Sequence, residues 1–356
     1  IYINGRFLLQ NQTGVNRFAY ELCRALAEMG VPFILCCPPG VIKDCYDVSG
    51  FSIWTCGWGK SHLWEQISLP WIFHRIKGEK VLLNFTGLSP LFVRKKVMTI
   101  HDLAFWVNPK WYSLSYRFLY RLLTPLCVFT SMKVLTVSEF SKNEIIRLLG
   151  IDRQKIVVVY NAVPFFFRIP TVKNCMEKGK YVLAVSSIDP RKNFFTLLRA
   201  FAYVKAKDIK LYIIGGEDKI YSASIRGLEK MTKSGKVKWL GRVSDDELKQ
   251  FYERALCFVY PSLYEGFGIP PLEAMSCGTP TVVSAIPPIK EVCGNAALYV
   301  NPYDEKDIAE KINLLIEDAD LRKSLIVKGY ERCQMFDWHR ITNILINVVE
   351  NLYSEK

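Results

Sequence analysis

Short apolar runs alternate with amphipathic segments along most of the chain. The runs have the length that is typical of strands buried on both faces of a parallel sheet. In one intervening segment, residues 15–29, Phe18, Leu22 and Leu26 recur at helical spacing on one face. This alternation predicts an α/β protein with parallel sheets. The predicted strands are 1–3, 33–37, 81–84, 97–100, 134–137, 156–160, 181–185, 210–214, 237–240, 255–260 and 281–283, and the predicted helices include 15–29, 193–205, 245–255, 304–318, 319–334 and 338–354.

The alternation is interrupted after Asn161–Pro164, where residues 165–180 are irregular and become polar. Such an interruption is typical of a linker between domains. We therefore predict a Rossmann-like N-terminal domain at 1–164, a second such domain at 165–336, and a last helix at 337–356 that crosses back to the first domain. Because ligands bind at the carboxyl ends of the strands in such sheets, a central cleft between the two domains is the expected site.

Local signals mark several helix ends. Pro270 and Pro271 fit only the first turn of a helix, and Gly278 with the proline beyond it is typical of a helix end. The stretch 260–283 is therefore predicted to run as strand, glycine loop, short helix and strand. Elsewhere, Ser141 and Glu144 have the spacing of a capping box at the start of another helix.

Two carboxylates flank that glycine loop. Glu265 precedes Gly266, Phe267 and Gly268, and Glu273 lies on the predicted helix with seven residues between the two carboxylates. Glycines let a ligand approach the backbone, and carboxylates accept hydrogen bonds from pairs of sugar or ribose hydroxyls. The alternative is a structural strand-to-helix corner with solvated carboxylates.

Arg191 and Lys192 follow the predicted strand 181–185 and precede a predicted helix. The two cations could neutralise a diphosphate, Arg through its planar fork and Lys as a point charge. A solvated pair is the alternative. Cations are slightly unfavourable at a helix start, which favours a functional role for this pair.

Two further candidates lie in the N-terminal half. His101 directly follows the predicted strand 97–100 and could hydrogen-bond a sugar hydroxyl or carry a proton, although a structural histidine is the alternative. Gly14 lies in the first strand-to-helix loop, where it could let the backbone come near a phosphate. It does not form a full GxGxxG motif, so it is a weak dinucleotide signal.

Charge is distributed unevenly over the 356 residues. The net charge is +13, and residues 1–165 carry +9 of it. A basic half suggests an anionic partner, either nucleic acid or an anionic membrane that carries a lipid-linked acceptor; a solvated surface without a partner is the third alternative. No aromatic-basic module is present, so no nucleic acid is expected. The expected membrane contacts are Arg94, Lys95, Lys96, Trp106, Trp111 and Tyr112.

The cysteines indicate the cellular compartment in which the protein is expected. Eleven are scattered mainly in apolar runs and none forms a CxxC pair, so we expect reduced, buried thiols in a cytoplasmic protein. No apolar run approaches the length of a membrane span, and no signal peptide or metal-binding cluster is evident. Any membrane contact is therefore expected to be peripheral, at the inner face of the cytoplasmic membrane.

Together these motifs resemble the GT4 family of retaining glycosyltransferases along nearly the whole chain. The matching stretches are TGVNRFAYEL, TIHDLAF, TVSEFS, SSIDPRKN, LGRVSDDEL, EGFGIPPLE and FDW, and WEQISLP and HDLAFWVNPKWYS are similar to bacterial enzymes that add mannose or rhamnose to surface polysaccharides. The resemblance implies the GT-B fold of two Rossmann-like domains, with Lys192 as phosphate ligand. In two places the chain departs from the family: Ser187 stands where many relatives have a second phosphate-binding arginine, and Ala162 replaces a glycine at the domain junction.

The resemblance implies transfer of a mannose-like or rhamnose-like hexose from a nucleoside-diphosphate sugar, a GDP- or UDP-sugar, to a glycan or lipid-linked acceptor. It implies a retaining, front-face mechanism without metal or other cofactor. A nucleotide-sugar epimerase or a hydrolase on the same fold is the alternative, and a basic nucleic-acid-binding protein a third. The residues expected to bind the donor are Gly14, Ser187, Arg191, Lys192, Val243, Glu265, Gly266, Phe267, Gly268 and Glu273, with catalytic roles for His101, Arg191, Lys192 and Glu265.

Overall fold

The computed structural model describes residues 1–168, 179–216 and 235–354, which form two compact units. Unit 1 comprises Ile1–Asn161 together with Asp337–Lys356, and unit 2 comprises Ala162–Phe336. Of the predicted irregular linker at 165–180, Phe165–Arg168 is a single helical turn, and residues 169–178 lie outside the described part of the chain.

Unit 1 is built on a parallel sheet with strand order β3-β2-β1-β4-β5-β6-β7. The order reverses between β1 and β4, so the loops that leave these two neighbouring strands diverge to opposite sides and open a crevice at their carboxyl ends. The strands are β1 (Tyr2–Asn4), β2 (Ile34–Cys37), β3 (Ile53–Thr55), β4 (Leu82–Asn84), β5 (Lys96–Ile100), β6 (Lys133–Thr136) and β7 (Ile156–Val158).

Unit 2 repeats this design with strand order β10-β9-β8-β11-β12-β13, again parallel throughout. Here the order reverses between β8 and β11, which places a second crevice at the carboxyl ends of those strands. The strands are β8 (Tyr181–Val185), β9 (Lys210–Ile214), β10 (Val237–Gly241), β11 (Cys257–Tyr260), β12 (Thr281–Ser284) and β13 (Ala297–Val300). The predicted α/β class with parallel sheets is confirmed.

Helices cover the sheets. In unit 1 they are α1 (Gly14–Glu28), α2 (Ser61–Leu63), a π-helical turn (Trp64–Ser68), α3 (Leu69–Arg75), α4 (Ala104–Val107), α5 (Leu114–Thr130) and α6 (Glu139–Leu149). Unit 2 contributes α7 (Phe165–Arg168), α8 (Phe194–Phe201), α9 (Asp245–Arg254), α10 (Ile269–Ser276), α11 (Pro287–Cys293), α12 (Glu305–Glu317) and α13 (Ala319–Gln334). The last helix, α14 (Trp338–Ser354), belongs to unit 1, where the buried Trp338 packs on Phe18 of α1.

The helix ends follow local chemistry. Pro270 and Pro271 occupy the first turn of α10, as predicted, and Gly278 beyond its end adopts a left-handed φ of 68°. The capping box predicted at Ser141 is wrong, because the Ser138 hydroxyl caps α6 by accepting a hydrogen bond from the Ser141 N–H. One turn of helix therefore precedes the predicted start.

Candidate functional site

The loop that follows β8 is fixed by two side chains. The Asp189 carboxylate accepts a hydrogen bond from the Arg191 N–H at 2.9 Å. Asn193 has a left-handed φ of 58°, and its amide donates to the carbonyls of Pro261 and Pro302 at 3.1 and 2.6 Å. These bonds hold the backbone on either side of Lys192, so the orientation of its side chain is set by the fold.

Lys192 lies in a buried cluster at the crevice between β8 and β11. Its Nζ donates to Glu265 Oε1 at 2.5 Å and to the Tyr260 hydroxyl at 2.9 Å, and that hydroxyl donates to the same Glu265 oxygen at 2.8 Å. Lys192 and Glu265 are only 7% and 6% exposed. The structure thus brings together two of the predicted catalytic residues, which are 73 positions apart in the chain.

Both charges of this pair are perturbed. Burial lowers the pKa of Lys192, an effect that Glu265 opposes and the charge of Arg191 reinforces. Burial alone would raise the pKa of Glu265, but Lys192 and Arg191 outweigh it and hold that pKa below its usual value. Glu265 is therefore ionised at neutral pH, and its charge is balanced within the cluster.

Arg191 adds a second cation to this cluster. Its Nη1 lies 3.9 Å from Glu265 Oε2, and its carbonyl accepts a hydrogen bond from the Leu263 N–H at 2.7 Å, which joins the two loops. Two cations, Arg191 and Lys192, therefore lie beside the Glu265 carboxylate, an arrangement from which both could turn to an anionic ligand such as a diphosphate. Asp189, which lies 3.4 Å from Arg191 Nε, orients that guanidinium.

Gly268, at the end of the glycine loop, has a backbone conformation that favours glycine and lies close to a neighbouring side chain. Its φ is 104°, and a β-carbon there would overlap the side chain of Ile289. Phe267 is buried and packs edge-on against Phe336, with ring centroids 5.5 Å apart. The loop of Gly266–Gly268 is therefore a fixed element, held close to Glu265 by its own packing.

Glu273 lies on α10 and is 6% exposed. One of its oxygens accepts a hydrogen bond from the Tyr252 hydroxyl at 3.0 Å. Tyr252 is itself fully buried and packs edge-on against Phe258 and Phe167. Glu273 is thus a buried carboxylate with a rigid support, whereas the structural alternative for it requires a solvated side chain.

Ser187 and Val243 follow β8 and β10, on the same carboxyl edge as Lys192. A β-carbon at Gly215, which follows β9, would overlap the Ser186 carbonyl oxygen, so the loops after β8 and β9 are in close contact. The structure therefore arranges Ser187 and Val243 along one edge of the unit 2 sheet, as parallel strands require.

His101 and Gly14 belong to unit 1. His101 Nε2 lies 2.8 Å from the Phe85 carbonyl, which can only accept, so this nitrogen carries the proton. Burial lowers the pKa of His101, which keeps the ring neutral, and Phe18 packs against its face. Gly14 begins α1, where Thr13 caps the helix, and no atom lies within 4 Å of a β-carbon placed on it.

Sequence reasoning missed three residues that build this site: Tyr260, Tyr252 and Asn193. Tyr260 ends β11, so its position at a carboxyl end was a usable signal. Tyr252 and Asn193 gave none, because the hydrogen bonds that they donate to Glu273, Pro261 and Pro302 join positions at least 21 residues apart. Within residues 1–168, 179–216 and 235–354, no group of three His, Cys, Asp or Glu side chains is arranged to hold a metal ion.

Comparison with known proteins supports one assignment across both units. The family model described as Glycosyltransferase Family 4 matches residues 12–165, and that described as Glycosyl transferases group 1 matches residues 167–332. The O-antigen chain mannosyltransferase RfbU of Salmonella typhimurium is 32% identical over 92% of this chain and 95% of its own length. O-antigen chain mannosyltransferase B of Escherichia coli is 31% identical over 74% of this chain and 72% of its own.

Solved structures share the fold at low sequence identity. A sucrose-phosphate synthase from Thermosynechococcus elongatus superposes with a TM-score of 0.79 at 19% identity, covering 100% of this chain and 99% of that one. HepE from Anabaena, solved with UDP and glucose, has a TM-score of 0.78 at 16% identity and covers 98% of both chains.

Proposed function

The chain belongs to the family 4 glycosyltransferases of the GT-B fold, and from this premise we propose that it transfers a mannose-like or rhamnose-like hexose during synthesis of a bacterial surface polysaccharide. Two relatives above 30% identity are named O-antigen chain mannosyltransferases, which supports mannose as the sugar and a glycan or lipid-linked glycan as the acceptor. Neither the family models nor these relatives support the alternative of an epimerase or a hydrolase.

The observation that carries the proposal is the buried cluster of Lys192, Arg191 and Glu265. As the glycosidic bond breaks, negative charge grows on the leaving diphosphate, and preformed cations in a dry site stabilise it best. The cluster places both cations beside Glu265, with Lys192 Nζ at 2.5 Å and Arg191 Nη1 at 3.9 Å from its two oxygens. In this proposal, the diphosphate takes up the charge of Lys192 and Arg191, and Glu265 turns toward the hydroxyls of the donor sugar.

Other residues then hold the rest of the donor. Glu273, supported by Tyr252, binds the ribose hydroxyls, and Val243 contacts the base of a GDP- or UDP-sugar. In unit 1, His101 has Nε2 committed to a main-chain carbonyl, so its Nδ1 is the atom that could accept a hydrogen bond from a sugar hydroxyl. This geometry supports a binding role for His101 rather than proton shuttling between its two nitrogens.

We propose that transfer is retaining and metal-independent. Lys192 and Arg191 supply the positive charge that a divalent ion would otherwise bring to the diphosphate. The acceptor attacks from the face that the diphosphate leaves, and a phosphate oxygen takes the acceptor proton. No pair of carboxylates placed on opposite sides of a scissile bond is needed for this route.

Peripheral membrane contact is part of the proposal, but several of the residues expected to contact the membrane are buried or pack on the core of unit 1. Lys96, expected to face an anionic membrane, is fully buried, and its Nζ donates to the Val93 carbonyl and the Thr130 hydroxyl. Trp106 and Tyr112 pack on the core of unit 1. Arg94 and Lys95 remain exposed. In the described part of the chain, no helix is long and apolar enough to cross a membrane.

Helix α5 offers a better surface. Its outward side exposes apolar side chains at spacings of three and four residues, namely Leu114, Phe118, Leu122, Leu126 and Phe129. The helix has no acidic residue and carries Arg117 and Arg121, while Lys155 lies near its end with Nζ 6.0 Å from the Phe129 ring centroid. An apolar stripe beside cations and without acids suits an anionic lipid surface.

A thermal-shift screen tests the donor directly. A bound donor raises the melting temperature by mass action, so GDP-, UDP- and dTDP-sugars are compared at equal concentrations. We expect stabilisation by one nucleotide class, retained with the free diphosphate and reduced in Glu273→Ala. If no nucleotide sugar stabilises the wild-type chain, the proposed function is contradicted.

A further inference from the structure

A second polar cluster lies in unit 1, at the crevice between β1 and β4. Asn4 ends β1, and its amide donates to Asn84 Oδ1 at 2.6 Å and to Glu65 Oε1 at 2.7 Å. Asn84, which ends β4, donates in turn to the carbonyls of Gly87 and Leu88. The two strand ends are therefore joined by a chain of side-chain amides that leads to one buried carboxylate.

That carboxylate, Glu65, is the unusual member of its segment. Trp64, Gln66 and Ser68 each donate to a main-chain carbonyl of a neighbouring loop, at 2.8, 3.0 and 2.6 Å, so they anchor the segment without charge. Glu65 is fully buried on the π-helical turn. Burying a carboxylate is costly, and its anchoring neighbours show that attachment of this segment does not require one.

Glu65 orients a histidine. His62 Nδ1 lies 3.1 Å from Glu65 Oε2, and we assign Nδ1 as the donor of this hydrogen bond and the carboxylate oxygen as its acceptor. In the neutral ring Nε2 is then an acceptor, and it makes no hydrogen bond to any residue that the structure describes. The side chain of His62 is 39% exposed, so a ligand can reach it.

Arg6 completes the cluster from the opposite side. Its Nε lies 3.5 Å from Glu65 Oε1, and this buried nitrogen has no hydrogen-bond partner among the described residues. Tyr120 lies nearby, with its ring 6.5 Å from that of His62. Burial raises the pKa of Tyr120, an effect that a hydrogen bond with Tyr116 and then the charge of Arg6 partly oppose, so the hydroxyl keeps its proton and can donate.

The position and charge of this cluster indicate its ligand. It lies at the strand reversal of unit 1, as the Lys192 cluster lies at the reversal of unit 2, and such reversals are where α/β sheets bind ligands. Here Arg6 pairs with Glu65, one cation with one carboxylate. With its charge balanced, it suits a neutral ligand with many hydroxyls better than an anion.

We propose that Arg6, His62 and Tyr120 bind the hydroxyl groups of the acceptor sugar, with Glu65 as a positioning residue that fixes the His62 tautomer. The inference rests on the proposed function, since it names where unit 1 holds the acceptor. An acceptor hydroxyl donates to His62 Nε2, and others accept from Arg6 and Tyr120.

The test is saturation-transfer NMR on the full chain with GDP present. The probes are methyl α-glycosides of mannose, rhamnose, glucose, galactose and N-acetylglucosamine. We expect at least one of these sugars to bind. Its dissociation constant should be about five- to tenfold higher in His62→Ala, because that variant loses one hydrogen bond to the sugar. His74→Ala, which removes another exposed histidine of unit 1, is the matched control and should bind as wild type.

A double-mutant cycle separates positioning from structural support. If Glu65 acts through His62, Glu65→Gln weakens sugar binding, and the double variant is no weaker than His62→Ala alone. Melting temperatures identify any variant that fails to fold, and Arg6→Gln then provides an independent test of the site. The proposal is overturned if every probe gives the same signal in wild type, His62→Ala and Arg6→Gln, including no signal at all. Donor binding, measured by calorimetry on the same samples, distinguishes this outcome from a failure of the proposed function.

Discussion

At the scale of single residues, two buried carboxylates in unit 2 have different surroundings and so different roles. Glu265 is held by Lys192 and Tyr260, whereas Glu273 accepts a hydrogen bond from the neutral hydroxyl of Tyr252. A carboxylate already paired with a cation must exchange that partner when a diphosphate arrives. The Tyr252 hydroxyl instead supports the Glu273 carboxylate with a neutral donor that a diphosphate does not displace.

Glu273→Ala should therefore weaken the donor and the free nucleoside diphosphate alike. Loss of hydrogen bonds to a charged group predicts about 1.5–3 kcal/mol in both binding free energies. Isothermal titration calorimetry on the folded variant measures both affinities. The control is Glu317→Ala, which removes an exposed carboxylate of the same unit. An unchanged affinity for the diphosphate would remove Glu273 from the ribose site.

Lys192→Ala should lower kcat more than it raises KM, because its charge counts most as the diphosphate leaves. The single variant leaves Glu265 buried without its closest cation, which costs about 3–5 kcal/mol of stability. The double variant Lys192→Ala with Glu265→Gln removes that penalty. Recovery of the melting temperature without recovery of kcat is the expected result, whereas a normal kcat in either variant would assign the leaving-group role elsewhere.

Lys96 gives a prediction about pH. Burial lowers its pKa to about 8 from 10.5, so between these values the native state has released a proton that the unfolded chain still binds. Stability must then rise with pH across this window, by about 3 kcal/mol in total, and this gain is lost as pH falls through 8. Chemical denaturation of wild type and Lys96→Met at several pH values should show diverging curves; parallel curves would contradict the shifted pKa.

At the scale of elements, the sequence predicted the bounds of helices and strands best where the hydrophobic periodicity and the residues that end such elements agree. Strand 181–185 and helices 319–334 and 338–354 were predicted with the observed bounds. The edge strand β3 was missed because it is three residues long and two of its three residues are exposed to solvent. The cap of α6 was misplaced because Ser138 and Ser141 are equivalent in propensity, and only the extended backbone at Ser138 decides between them.

The outward face of α5 carries the element-scale prediction. Vesicles with anionic lipid should co-sediment the protein at low salt, and each cation near the surface adds about 1 kcal/mol. Phe118→Ser with Phe129→Ser should abolish binding, while Arg94→Ser with Lys95→Ser should reduce it only modestly.

Equal binding to anionic and neutral vesicles at low salt would contradict this docking surface. Light scattering on the same samples tests the alternative that a second copy of the chain binds this apolar face. If the wild type self-associates and the Phe118→Ser, Phe129→Ser variant does not, the face is an interface between copies of the chain.

At the scale of the whole molecule, the two units share a design and differ in charge. Each presents a buried polar cluster at the reversal of its strand order, with two cations beside Glu265 in unit 2 and one beside Glu65 in unit 1. The sequence predicted the Lys192 and Glu265 positions, since glycine loops and adjacent charges are local signals. It could not predict the Asn4–Glu65–Asn84 chain, whose members are joined only by folding.

The most direct test of the account follows donor turnover in the presence of EDTA. Proton NMR records the anomer of mannose first released when the full chain slowly hydrolyses GDP-mannose, or the donor selected by thermal shift. Front-face departure assisted by Lys192 predicts that the α anomer appears first, at a rate that chelator does not change and that Lys192→Ala lowers. Initial release of the β anomer, or activity that is lost in EDTA and restored by Mn²⁺ or Mg²⁺, would contradict a retaining, metal-independent transferase.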